Sequence, residues 1–245
     1  MRTVLRLAFS DLKHDPLRTI FSAVGIASVV MVALVLNGVA NGMSDVLVTA
    51  PLSSNLVIVD STFVDIGDSM IPSGLIDGLS PWMPDPIQRI SPVFYRQIRV
   101  DEHVVTLMAA DPGDWVTVHQ LALVAGKMPA GLREVMVGEG SANTFRWAVG
   151  DKLTIYGEDF SITGIFRAPG SSFSAIWIPM ASANALFESS HTVQFLSLNI
   201  IPGADLEAFR VELMHSDLLA GKYSVFLEDS YSSRNAQLVR DVYGV

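Results

Sequence analysis

The residue types that could do chemistry in this 245-residue chain are glycine, histidine and the acids, and each arrangement stops short of a site. Gly138-Glu-Gly-Ser-Ala-Asn143 follows a strand-like run and begins as a Gly-x-Gly phosphate turn. The third glycine of a dinucleotide fingerprint is missing, and the helical stretch after it is short, so no dinucleotide is expected. There is no Gly-x-x-x-x-Gly-Lys-Ser/Thr loop, so the chain has no means of cradling ATP phosphates itself. His14, His103, His119, His191 and His215 are scattered and lack the close spacing of metal ligands. Asp65 and Asp68 lie in a glycine-containing loop, but the twelve-residue ligand series of a calcium loop is absent. Neither a Gly-x-Ser-x-Gly elbow nor a His-Glu-x-x-His helix occurs. With no cysteine, no disulfide framework or thiolate metal site can form. The residues therefore imply no catalytic group, no cofactor and no metal, and a protein that is not an enzyme.

The element that organises the chain is instead Ile20–Val39, twenty residues without a charge. As a helix this run covers about 30 Å, the thickness of a bilayer's hydrocarbon core. Arg2, Arg6, Lys13 and Arg18 precede it, and no Lys or Arg follows until Arg89. That asymmetry predicts a cytoplasmic amino end and a main domain on the other side of the membrane. A small-x-small site at Gly38-Val39-Ala40 raises the alternative of a cleaved signal peptide. The run is longer than a signal core of roughly 7–15 residues, so an uncleaved anchor is expected. Val4, Leu5, Ala8 and Leu12 share a helical face away from the basic residues, a pattern suited to lipid headgroups. Ala23 and Ala27, and Gly38 and Gly42, place small residues one turn apart, where another helix could pack closely. The expected divisions are a cytoplasmic segment at 1–18, a transmembrane helix at 19–42 and an extracytoplasmic domain at 43–245.

Charge is divided in the same way. The chain carries a net −9, of which the first 18 residues contribute +2. An acidic domain excludes nucleic acid as a natural partner, because phosphates need a basic surface.

Beyond the apolar run, Asn55–Asp60 reads as a β-branched strand. Residues 61–87 hold Pro72, Pro81, Pro84 and Pro86 with three glycines, which predicts a long irregular loop. Its apolar residues Met70, Ile71, Leu75, Trp82 and Met83 are candidates for a partner-contact surface. Two strands follow around a turn at Asp101-Glu102, and Trp115 to Ala125 is expected to start as a helical turn. Further strands are expected at Glu134–Gly138, Asp151–Tyr156, Phe160–Phe166, Ala175–Pro179, Val193–Ile201 and Tyr223–Leu227. The turn at Gly157-Glu158-Asp159 makes the second pair a hairpin. Helices are expected at Ser141–Trp147 with Ser141 as cap, at Met180–Phe187, at Ala204–His215 and from about Ser232. Strands and helices interleaved by short loops predict an α+β domain with a mixed sheet, in two lobes at most, on one amino-terminal transmembrane helix.

Residues 126–187 carry a run of signatures in order. They are Gly126-Lys-Met-Pro129, Arg133-Glu-Val-Met-Val-Gly138, Val149-Gly-Asp-Lys-Leu153, Phe160-Ser-Ile-Thr-Gly-Ile-Phe166 and Ile176-Trp-Ile-Pro-Met180 with Ala185-Leu-Phe187. The amino end adds Asp15-Pro-Leu-Arg-Thr19 followed by Ala23-Val-Gly-Ile26. Together they resemble MacB/FtsX-type ABC transporter permeases, with their first membrane helix and MacB-like periplasmic core domain. The resemblance implies a separate ABC ATP-binding subunit, a second permease copy in a dimer, an envelope or adaptor protein and membrane lipid as partners. It implies an inner-membrane location and a function in which ATP hydrolysis elsewhere moves the extracytoplasmic domain to export or extract a substrate. No second run of about 20 apolar residues follows, so the family's last three membrane helices are not expected here. That departure leaves a second reading open: a single-pass interaction or regulatory module of the cell envelope. Gly138, Gly150 and Gly164 are expected to serve packing and chain direction, without a part in chemistry.

Overall fold

The computed structural model describes residues 17, 21–22, 24–35, 55–62, 66–83, 85–168, 170–188 and 191–228. The chain divides into two units, one holding residues 1–46 and the last seven residues, the other Leu47–Leu238. In the first unit the described residues are helical, and all their described side chains are exposed. Phe21, Ile26, Val29 and Leu34 are apolar examples, each at least two-thirds exposed. Ser28 turns its hydroxyl back and donates to the carbonyl of Val24 at 2.8 Å, which satisfies the polar group within an apolar stretch. Among the described residues no helix is long and apolar enough to cross a membrane. The amino-terminal amphipathic residues, Ala23, Gly38, Gly42 and the helix expected from Ser232 lie outside the described residues.

The second unit is built on one mixed sheet of ten strands. Its incoming strand is β1, Asn55–Asp60. β2 (Ile71–Pro72), α1 (Leu75–Gly78) and two short 3-10 turns follow. Then come β3 (Ile87–Val100), β4 (His103–Ala110) and β5 (Ala122–Gly126). β6 (Glu134–Gly138) leads into α2 (Glu139–Phe145), and β7 (Lys152–Ile155) pairs with β8 (Glu158–Arg167). β9 (Ile176–Pro179) leads into α3 (Met180–Phe187). β10 (Thr192–Val193), β11 (Phe195–Ile200), α4 (Leu206–His215) and β12 (Tyr223–Leu227) complete the unit. The order across the sheet is β12-β1-β11-β3-β4-β9-β6-β8-β5, with β7 also on β8. β2 and β10 form a separate two-stranded ribbon. The pairs β4–β9 and β6–β8 are parallel and the rest antiparallel.

β3 is the longest strand and changes partner along its length. Residues 87–93 pair with β11, and residues 94–100 pair with β4. Gln194 bridges the changeover, accepting from the Tyr95 amide at 2.8 Å while its own amide donates to Val93. Each half of the sheet has its own helix-backed core. Leu56, Ile58, Leu196 and Leu198 face Phe209 and Leu213 of α4. Phe94, Leu107, Val135 and Ile176 pack with Ala142 of α2 and Ala183 of α3. On the other face a third cluster, including Val57, Val59, Trp115 and Trp177, runs beneath residues 111–121. β1 thus sends alternate residues into two cores, which is why its apolar run is continuous.

Several expectations need correction. Residues 61–87 are not a structureless loop: Ile71, Leu75 and Leu79 are core residues, held by the ribbon and α1. Ser141 does not cap α2. Gly138 holds the cap position, and the Ser141 hydroxyl donates to Ser174 at 2.6 Å. The β7–β8 turn is Tyr156-Gly157, both at positive φ, with Ile155 opposite Glu158. That two-residue hairpin has the twist that antiparallel strands favour. The segment from Trp115 makes turns and then the edge strand β5. The strand expected at Val193–Ile201 is interrupted at Gln194.

A Cβ at Gly138 would lie 2.2 Å from the carbonyl oxygen of Phe173, a backbone atom that cannot swing away. At Gly131 the nearest atom is a side-chain carbon of Glu134 at 3.6 Å. Gly138→Ala is expected to lower unfolding free energy by about 1–3 kcal/mol in urea titration. Gly131→Ala should stay within about 0.5 kcal/mol of the parent.

Candidate functional site

No cluster of reactive side chains forms among the described residues, and no three His, Cys, Asp or Glu side chains gather there. The Gly-x-Gly turn is closed to a phosphate. Glu139 is paired with Arg167 through two bonds of 2.7 and 3.0 Å, which hold its carboxyl below the usual range. A Cβ at Gly140 would strike Ser174 Oγ at 2.3 Å, so this glycine serves packing.

The most unusual polar chemistry lies where the sheet's chain arrives and leaves. β1 is antiparallel to β12, with Leu56 opposite Leu227. The first residue of β1, Asn55, is 1% exposed. Its amide nitrogen donates to the Val118 carbonyl at 2.8 Å and to Glu228 Oε2 at 2.9 Å. Its amide oxygen accepts from Asn199 Nδ2 at 2.9 Å. One side chain therefore ties the incoming strand to the end of the outgoing strand, to β11 and to the segment over the sheet. Each bond matters, because a buried polar group left without a partner costs about 1–3 kcal/mol.

That segment, residues 111–121, forms a strap. Its turn is set by Asp111, whose carboxylate accepts from the Gly113 amide at 2.8 Å. The Asp114 carboxylate is buried and accepts from Arg89 Nε of β3. The Asp114 carbonyl accepts from the amides of Val118 and His119. His119 Nε2 lies 2.9 Å from Ser91 Oγ of β3. Its ring sits 4.8 Å from Trp177 of β9, and Trp115 meets Trp177 edge-on at 6.0 Å. Burial disfavours the imidazolium and pushes the His119 pKa down to about 3. The strap thus bonds to both ends of the β1–β11–β3 part of the sheet and packs on the far part through Trp115. Such an arrangement can transmit force and hold position; it offers no nucleophile or general base facing a cleft.

The candidate contact residues divide. Met70 is 61% exposed and Met83 is exposed, whereas Trp82 is half-buried and donates to Glu212 at 3.2 Å. Ile71 and Leu75 are buried, so they cannot belong to a contact surface. Ala27 is exposed on the amino-terminal helical stretch. Asn55, Val118 and His119 were not foreseen as a group. The one signal is an asparagine heading a run that is apolar on both faces from Leu56 to Val59.

Among curated proteins no sequence match is found. The fold is similar to the periplasmic region of MacB from Actinobacillus actinomycetemcomitans, at a TM-score of 0.55 and 13% identity, covering 77% of this chain and 94% of that one. It is also similar to the extracellular domain of the noncanonic ABC-type transporter YknZ from Gram-positive bacteria, at a TM-score of 0.51 and 12% identity, covering 70% of this chain and 99% of that one. The model of the MacB-like periplasmic core domain matches residues 20–215, and since this is most of the chain, the protein belongs to the MacB-like periplasmic core domain family.

Proposed function

We propose that this chain is the anchored, extracytoplasmic part of an ABC-type permease, acting as a mechanical element. The observation that carries the reading is the Asn55 junction, where incoming and outgoing strands are neighbours and share a side-chain bond. In this reading Ile20–Val39 spans the inner membrane, with the amino end in the cytoplasm and residues 43–245 outside. The described part of that run supports it, since an exposed apolar helix needs lipid or protein to cover it. A separate ATP-binding subunit drives a dimer of permease copies, and tilt of the helix reaches the sheet through β1. The small residues Ala23, Ala27, Gly38 and Gly42 serve close helix packing in the dimer. The motion exports or extracts a substrate.

A second reading, a single-pass module that binds an envelope or adaptor protein, is favoured by the exposed Met70 and Met83 beside Trp82.

The absence of cysteine makes topology directly measurable. With Ser10→Cys and Glu102→Cys introduced separately, a membrane-impermeant maleimide applied to intact spheroplasts should label only the Glu102→Cys chain. Labelling of Ser10→Cys alone would reverse the orientation, and labelling of both would remove the anchor. Asn55→Ala should lower stability by about 1–3 kcal/mol. In the full chain it should loosen β1 and β12 together in hydrogen exchange; β12 keeping its protection while β1 loses it would defeat the junction reading.

A further inference from the structure

Part of the strap's hold on the sheet runs through an ionisable ring that has no room for a charge. We propose that residues 111–121 are a releasable clasp on the incoming strand, in which protonation of His119 frees the strap from Ser91 and withdraws the Val118 carbonyl from Asn55 while the rest of the sheet stays folded. The proposal deepens the mechanical reading above, since the clasp grips the same asparagine. Its test needs no ATPase or partner, so either can fail without the other.

Three observations carry it. First, the strap's polar attachments to the sheet are three, Asn55 to Val118, Ser91 to His119 and Arg89 to Asp114, while Trp115, Val118 and Leu121 hold it by apolar burial that pH does not change. Second, His119 is 8% exposed and lies between Ser91 and the Trp177 ring, so an imidazolium there would be poorly solvated. Third, the strap's internal bonds are local, from the amides of Val118 and His119 to Asp114 and from Leu121 to Trp115. They let the segment lift as a piece without unpairing any strand. Among the described residues, the charged groups at the strap's anchor points are Asp114 on the strap, Arg89 on β3 and Glu228 beyond β12, which reaches Asn55. Arg89 and Asp114 neutralise one another. Neither carboxylate bonds to the ring.

The direction follows from the shift. The closed strap holds His119 neutral, with its pKa at about 3, whereas an open strap returns it toward the ordinary 6.5. Closure is therefore at full strength above about pH 6.5 and weakens progressively as pH falls toward 3.

The experiment is hydrogen exchange on the full chain in detergent micelles, corrected for the intrinsic pH dependence of exchange. Between about pH 7.5 and pH 5 the amides of Val118, His119 and Leu121 should lose up to about thirty-fold in protection, while those of β4 hold. His119→Gln should lose almost none of its strap protection over the same range. Unchanged strap protection in the parent chain overturns the proposal. So does loss shared equally by β4, or the same pH response in His119→Gln, which would assign it to the carboxylates. Should His119→Gln fail to fold, Ser91→Ala keeps the ionisable ring and removes its partner. Its strap should already be poorly protected at about pH 7.5; protection equal to the parent chain would overturn the proposal.

Discussion

Everything in the folded unit depends on β3 being one strand while serving two sheets' worth of partners. Its first half belongs with β11, β1 and β12, and its second with β4 and the strands beyond. A backbone of continuous hydrogen bonds cannot flex at the changeover without losing pairs on both sides. The two helix-backed cores are therefore held in fixed relation, though each is made of different residues. The side chain and amide of Gln194 reinforce the point where β11 gives way.

The second constraint is that the sheet is covered on both faces. α2, α3 and α4 take one face; on the other, among the described residues, irregular chain carrying Trp115 and Leu121 packs with Val57, Met136, Phe166 and Trp177. Irregular backbone over an apolar face must satisfy its own polar groups locally. The Asp111 turn and the carbonyls of Asp114 and Trp115 do so. Two large side chains, Trp115 and Leu121, then plug the face itself. Polar anchors at the margins and apolar plugs in the middle give a cover that is well seated but weakly knitted to its neighbours.

Much of this fold was legible in the sequence where short-range pattern and long-range packing agree. Asn55–Asp60, Glu134–Gly138, Met180–Phe187 and Tyr223–Leu227 form where they were expected, because each is a compact run bounded by turn residues. β5 was missed because all five of its residues are exposed, so no alternation marks it. Residues 61–87 misled in the opposite sense. Prolines and glycines do punctuate them, yet Ile71, Leu75 and Leu79 are drawn into the core by partners more than a hundred residues away, such as Val193 and Leu213. The junction was invisible for the same reason. Asn55 meets groups from residues 118, 199 and 228, separations at which periodicity carries no information.

The closeness of the sheet's first and last strands has a consequence for how such a unit travels between proteins. A domain whose two chain connections emerge side by side can be set into a loop of another protein with little distortion of its host. It can equally be removed, and the host's cut ends will lie near enough to rejoin. β1 against β12 gives this unit that property, with Asn55 as its fastener. The fold is in this sense an interchangeable unit, free to diverge in surface while its attachment stays the same.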